Sequence, residues 1–230
     1  MNHPPIIDVI IPAYNEEKSI PKVIAEIPDF VRHIVVANNN STDQTHQAAE
    51  AAGAKVVFEP QKGYGKACLT AMDWIKNQEI QPDIVVFLDG DYSDYPEEMR
   101  DLVQPILDGK SDMVIGSRAL GMREKGSMTL PQVFGNWLAT TMMKYMQGAK
   151  FSDLGPFRAI VWRKLLDLNM VDQNFGWTIE MQIKAHKAGL RYTEVPVNYR
   201  KRIGVSKVSG TVKGVIGAGY KIIFTIFKYW

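Results

Sequence analysis

The stretch Val85–Pro96, VVFLDGDYSDYP, decides how this chain folds. Four apolar residues in an unbroken run predict a strand buried on both faces, as in a parallel sheet, not an alternating strand with one wet face. The run stops at Asp89-Gly90-Asp91, with Asp94 three positions on. Ligands of open parallel sheets bind beyond the carboxyl ends of the strands. Two acids one residue apart at such an end can share a hard divalent cation, Mg2+ or Mn2+, with substrate phosphates. Gly90 between them leaves room for backbone or ligand to come close.

Outward from that strand the same rhythm repeats. Ile6–Ile11, Ile34–Ala37, Lys55–Phe58, Ile84–Leu88 and Met113–Ile115 read as strands. Between them, helical spacing predicts helices over Glu17–Ile27, Thr42–Ala52 (capped by Ser41 or Thr42), Gly65–Asn77 and Pro96–Leu107. Strands separated by helices predict βαβ units and a largely parallel sheet flanked by helices. Beyond Gly116 a Met-rich helix over Leu130–Gln147, a helix over Trp177–Ala188 and a strand over Tyr192–Val197 are expected. The fold class is α/β, with a basic amphipathic helical tail at residues 211–230.

Composition narrows the setting. The chain has 230 residues, 46% of them hydrophobic, enough for one substantial α/β domain. A lone Cys68 excludes an internal disulfide and favours a cytoplasmic compartment. No secretion signal is expected at the N-terminus, and no run approaches the ~18 apolar residues that span a bilayer. The net charge of +2 hides an asymmetry. From Lys184 onward ten Lys and Arg face one acid, Glu194, a local charge of +9 that leaves −7 on the rest. A basic block on an acidic body suits a partner with phosphates or an anionic membrane surface. Lys213, Lys221 and Lys228 share one side of the tail on a helical wheel, which predicts peripheral docking on the cytoplasmic face of a membrane. Nucleic acid is not expected, because the basic residues alternate with apolar helix positions and no aromatic stacking platform accompanies them.

Three predicted strands end in polar clusters on one rim: Tyr14-Asn15-Glu16-Glu17, Asn38–Asp43 and Asp89-Gly90-Asp91. With VIIPAYNEE (Val9–Glu17), NNNSTDQT (Asn38–Thr45), KGYGKA (Lys62–Ala67), DGDYSDYPE (Asp89–Glu97) and IGSR (Ile115–Arg118), the chain resembles the family-2 inverting glycosyltransferases of GT-A fold. DLGPFRAI (Asp153–Ile160), WTIEMQIKA (Trp177–Ala185) and EVPVNYRKRIGVSK (Glu194–Lys207) look like the branch that makes polyprenyl-phosphate (dolichyl-phosphate) hexoses. The resemblance covers roughly Ile6 to Gly210.

That resemblance implies a metal-dependent transfer of mannose or glucose from a GDP- or UDP-hexose to a lipid phosphate. Residues 1–118 would bind the nucleotide sugar and 119–210 the acceptor. Pro12, Tyr14, Glu16, Asn38, Asp43, Lys62, Gly63, Gly65 and Gly90 would line the donor pocket. Asp89 and Asp91 would hold the sugar nucleotide and its Mg2+ or Mn2+, Asp91 more firmly. Arg118, Arg200, Arg202 and Lys207 would meet phosphates, with Arg200 and Arg202 aimed to one side of an extended segment. Asp153, and less so Glu180, would supply a general base if the acceptor were a hydroxyl. The chain departs from its relatives in two places. Asn38 and Asn39 stand where relatives commonly carry an acid, which shifts base preference. Arg123, Lys125, Gln132 and Asn136 stand where mannose synthases place an Arg and a Ser for the lipid phosphate. The competing readings are a transferase for a hydroxyl acceptor, a sugar-nucleotide nucleotidyltransferase and a non-catalytic binding module. PAYNEEKSI after the first strand lacks the glycine-rich basic loop that a nucleotidyltransferase needs.

Overall fold

The computed structural model describes residues 4–204 and 212–230. Seven strands form one sheet in the order β3-β2-β1-β4-β6-β5-β7. They are β1 (Ile7–Ala13), β2 (Val31–Asn38), β3 (Lys55–Phe58), β4 (Ile84–Phe87), β5 (Met113–Ser117), β6 (Arg158–Val161) and β7 (Tyr192–Pro196). All four residues of β4 are buried, as an apolar run inside a parallel sheet requires. Alternate residues face opposite layers. Val85 and Phe87 join one core with Trp162, Trp177 and Met143, whereas Ile84, Val86 and Leu88 join another with Ile11, Ile20 and Leu102. The edges are the less buried β3 and β7, edge positions that tolerate the Lys at one end and the Pro at the other.

The helices are α1 (Ile20–Ala25), α2 (Thr45–Ala51), α3 (Tyr64–Lys76), α4 (Met99–Leu107), α5 (Leu130–Gln147), α6 (Trp162–Asp167), α7 (Trp177–Lys187) and α8 (Val212–Lys228). A 3-10 turn at Pro96–Glu98 leads into α4, where one helix from Pro96 is expected. The α5 helix has the expected bounds, fixed by a Thr129–Gln132 capping box and a left-handed Gly148. Strand β1 runs through Pro12 instead of ending there. Helix α2 begins at Thr45, because Ser41 and Thr42 bond the loop after β1 and do not cap a helix.

Sequence reading passes over β6. It lies antiparallel between β4 and β5, pairing Arg158 with Phe87 on one side and with Ile115 on the other. Being antiparallel, it enters the sheet at the rim where β4 and β5 leave it. The segment from Asp153 to Phe157 is thereby carried to the carboxyl ends of the parallel strands.

The expected tail is a helix packed on the body. Thr225 and Ile226 of α8 are buried, Gln147 of α5 donates to the Ile226 carbonyl at 3.1 Å, and Lys221 pairs with Asp172 at 2.8 Å. Lys221 is therefore withdrawn from the basic stripe expected of it. No helix among the described residues is long and apolar enough to cross a membrane.

Candidate active site

Strands β2, β1 and β4 are neighbours, so their ends meet at one rim. The loops after β1 and β2 are laced together. Asn39 N–H donates to the Ala13 carbonyl at 2.8 Å, Asn15 N–H to Ser41 Oγ at 3.0 Å, and Glu16 N–H to Thr45 Oγ1 at 2.8 Å. Asn15 and Asn40 are left-handed, at φ 56° and 60°, a conformation asparagine tolerates better than most side chains. The lacing uses residues expected to meet the nucleotide. Asn38 Oδ1 accepts from Ser41 N–H at 3.0 Å. Asp43 accepts from Thr45 N–H at 3.0 Å and from Glu17 N–H at 3.3 Å. Both therefore shape the loops on which the expected base and ribose contacts would depend. Pro12 is half-buried at the end of β1. Tyr14 stays at the rim, where its hydroxyl accepts from Lys62 Nζ at 2.8 Å.

Gly63 and Gly65 also have a local cause. A Cβ at either would lie 2.2 Å from the Gln173 carbonyl oxygen or 2.0 Å from that of Asp172. The close approach of the 172–173 loop by itself leaves no room for a side chain at either position. Gly90 likewise admits Ile20, Ile11 and Ala13 beneath it, each within 3.3–3.6 Å of a built Cβ.

The two acids are held in unlike ways. Asp91 is buried, accepts from Ser93 N–H at 2.9 Å and Ser93 Oγ at 2.5 Å, and forms an ion pair with Arg202 at 2.5 Å. Arg202 also lies 3.9 Å from Glu16. A strap carries it across the acidic turn, with Arg200 N–H donating to the Ser93 carbonyl and Ile203 N–H to that of Asp91, both at 2.9 Å. Asp89 is partly buried and accepts from the Tyr64 hydroxyl at 3.0 Å. Burial and the charge of Asp91 push its carboxyl up to about 7. Tyr92 completes the turn in the left-handed region at φ 66°, a strained position for a bulky side chain. Asp94 is buried, and neither carboxyl oxygen has a hydrogen-bond partner among the described residues. Burial, with the charges of Asp89 and Asp91, raises it well above the usual carboxylate range.

Across the rim, Arg118 grips Asp153 with Nε–Oδ2 at 2.9 Å and Nη2–Oδ1 at 2.7 Å, and the Arg118 amide adds a third bond at 2.7 Å. Burial would raise the Asp153 carboxyl, but Arg118 outweighs it and holds it below its ordinary value. Asp153, expected as a base for a hydroxyl acceptor, thus anchors the Arg118 guanidinium in this structure. Glu194 fixes the same turn through Ser152 N–H at 2.9 Å. Glu180, the second expected base, is fully buried. It accepts from Asp172 N–H at 2.7 Å and Tyr229 Oη at 2.6 Å and pairs with Lys184 at 2.8 Å, so it ties α7 to the chain end. Arg200 departs from expectation too. Its Nη2 meets Glu26 at 2.6 Å and its guanidinium stacks on Tyr92 and Tyr95, 3.4 and 4.3 Å from the ring centroids. Arg200 and Arg202 therefore part company, because the strap is not a strand and the two tyrosines capture the first. Lys207 lies outside the described residues.

Sequence reading missed three contributors. Tyr64 sits inside the quoted KGYGKA motif, and nothing in its spacing points at Asp89. Arg158 is fully buried, with Nη1 donating to the Thr178 carbonyl at 2.9 Å and Nε to that of Gly155 at 3.1 Å; burial lowers its guanidinium to about 10. Asp94 was visible three residues past Asp91, but its burial was not.

Comparison with known proteins agrees with this geometry. The chain is 35% identical over 213 residues to an uncharacterized glycosyltransferase of Mycobacterium tuberculosis, covering 91% of this chain and 93% of that one. It is 30% identical over 205 residues to the dolichyl-phosphate hexose transferase of Haloferax volcanii, covering 87% and 85%. Its fold matches the glucosyl-3-phosphoglycerate synthase of M. tuberculosis, solved with Mn2+, UDP-glucose and phosphoglyceric acid, at a TM-score of 0.77 and 23% identity, covering 98% of this chain and 79% of that one. The profile of the glycosyl transferase family 2 matches residues 8–168. With a GT-A sheet, an acidic pair at the end of β4 and relatives aligned along nearly its whole length, the chain belongs to glycosyl transferase family 2 and is a glycosyltransferase.

Proposed function

We propose that the chain moves a hexose from a nucleotide sugar to a lipid phosphate of the polyprenyl type, with inversion at the sugar carbon. One observation carries the choice of acceptor: the Arg118–Asp153 pair. A hydroxyl acceptor needs a base near the sugar. Here Asp153 is consumed by a guanidinium, Glu180 by buried donors, and Asp94 is enclosed, its carboxyl raised by burial and by the charges of Asp89 and Asp91. A phosphate monoester is already ionised near neutral pH, and needs a fixed cation instead. Arg118, held along its Nε–Nη2 edge by Asp153, is preorganised for that. The name of the Haloferax relative points to the same acceptor class.

Residues 1–118 would form the donor half, with Pro12, Tyr14, Glu16 and Lys62 around the nucleotide, and residues 119–210 the acceptor half. Asp89 and Asp91 fit a divalent cation. Their donors are all carboxylate oxygens, and Asp89 is raised by burial and by the charge of Asp91, which Arg202 and Arg118 offset only in part. Two carboxylates are what Mg2+ or Mn2+ takes when substrate phosphates complete its shell. Such an ion would supply charge neutralisation for the departing diphosphate. An acceptor phosphate oxygen forms the new bond to the anomeric carbon as the bond from that carbon to the nucleoside diphosphate breaks. Arg118 orients the acceptor, and Arg202 is within reach of the diphosphate once it leaves Asp91.

A lipid acceptor asks for an apolar surface beside the site. On α5, Leu130, Val133, Phe134 and Trp137 are 85, 39, 61 and 59% exposed at spacings that share one helix face. Asn136 of the same helix bonds Ser152 and Leu154, flanking Asp153. Phe224 and Phe227 of α8, and Trp230 just after it, are exposed as well, and neither helix contains an acid. Apolar faces of this size without acids suit the surface of an anionic membrane, here its cytoplasmic face. The test is transfer from radiolabelled UDP- and GDP-hexoses, with Mn2+, to polyprenyl phosphate in anionic vesicles. Label in the organic phase is expected; label confined to water with every donor would refute the reading.

A further inference from the structure

Asp91 has three partners, the Ser93 amide, the Ser93 hydroxyl and Arg202. Asp89 has one hydrogen bond among the described residues, from the hydroxyl of Tyr64. That tyrosine is set by the scaffold and not by the acid. It opens α3 between Gly63 and Gly65, both pressed by the 172–173 loop. The Gly63 amide is held by Asn39 Oδ1 at 2.7 Å and the Lys66 amide by the Gln173 carbonyl at 3.0 Å. Its ring packs against the core that contains Phe87 and Trp177.

We infer that Tyr64 is a positioning residue for a divalent-cation site: it fixes Oδ1 of Asp89 and leaves Oδ2 to face the cation beside Asp91. This rests on the reading of Asp89 and Asp91 as ligands of Mg2+ or Mn2+. Without the phenol, Asp89 keeps no hydrogen-bond donor among the described residues and is repelled by Asp91, so the cation must gather a carboxylate that is no longer aimed. Partners that orient a metal ligand through a hydrogen bond change metal affinity by about 10–100-fold when removed.

The test is a Mn2+ titration of nucleotide-free protein, with free Mn2+ read by electron paramagnetic resonance up to millimolar concentration. Wild type, Tyr64→Phe and Asp91→Asn are compared after their thermal midpoints are measured. Tyr64→Phe removes one hydroxyl and no ring packing, and it should bind Mn2+ about tenfold more weakly while melting close to wild type. Asp91→Asn should lose the site. Equal affinity in wild type and Tyr64→Phe, with Asp91→Asn weakened, overturns the role of Tyr64 and leaves the metal reading standing. Equal binding, or none, in wild type and Asp91→Asn overturns the metal reading and the role of Tyr64 with it. A merely structural tyrosine would move the melting point and not the affinity.

Discussion

Replacing Arg202 by glutamine should tighten divalent-cation binding by the nucleotide-free protein while it slows transfer. The guanidinium sits 2.5 Å from Asp91 and its side chain is 29% exposed against 5% for Asp91. A charged hydrogen bond to such a carboxylate contributes about 1.5–3 kcal/mol, and partial exposure places this one near the lower end, about 1.5–2 kcal/mol. A metal ion must displace it to reach Asp91. Removing the competitor should therefore raise Mn2+ affinity roughly 10- to 30-fold, at 1.4 kcal/mol per factor of ten. The strap itself survives the change, because it is held by the backbone bonds of Arg200 and Ile203. The buried Nε of Arg202 has no hydrogen-bond partner among the described residues, so departure from Asp91 breaks no other bond of that atom there. Turnover should fall, since the same guanidinium meets diphosphate once metal and donor are bound. Mn2+ titration of wild type, Arg202→Gln and Arg202→Lys measures the effect. Unchanged or weaker binding by Arg202→Gln would refute the competition.

Glu180→Ala should cost about 3–5 kcal/mol in urea unfolding, because it leaves the Asp172 amide and the Tyr229 hydroxyl without their acceptor and removes the ion pair of Lys184; Tyr229→Phe should cost about 1 kcal/mol. The raised carboxyl of Asp89 gives the apoprotein a pH dependence of defined sign. Its folded pKa near 7 exceeds the unfolded value of about 3.9, so the folded state holds the extra proton between them. Stability should fall as pH rises through that window and level off above it. Asp89→Asn should flatten that slope, and an unchanged slope would contradict the assignment. Phe134→Glu with Trp137→Glu should abolish flotation with anionic vesicles without lowering the thermal midpoint; retention of flotation would remove α5 from the membrane face.

The parts of this fold legible in the sequence are those with a local cause. An unbroken apolar run up to Asp89 declared a doubly buried strand, and helical spacing bounded α5 at Leu130 and Gln147. Strand β6 escaped because it is four residues long and begins with an arginine, whose burial depends on carbonyls of Gly155 and Thr178 brought up by other segments. The same limit applied at the site. The strand ends that converge on the rim could be read from spacing. Whether Asp153 would face substrate or Arg118, and whether Arg200 would follow Arg202, depended on pairings more than thirty residues apart. The motif residues were legible as a set, but the division between those that touch substrate and those that hold them was tertiary.

The central claim is that the acceptor is a phosphate met by Arg118, with no base in the site. The most direct measurement is initial-rate transfer to a polyprenyl phosphate and to the free polyprenol of equal chain length, in the same anionic vesicles, with 3-phosphoglycerate as a soluble third acceptor. The account predicts transfer to the polyprenyl phosphate, loss of that transfer in Arg118→Gln, and none to the alcohol or to phosphoglycerate. Faster transfer to either hydroxyl acceptor would contradict it.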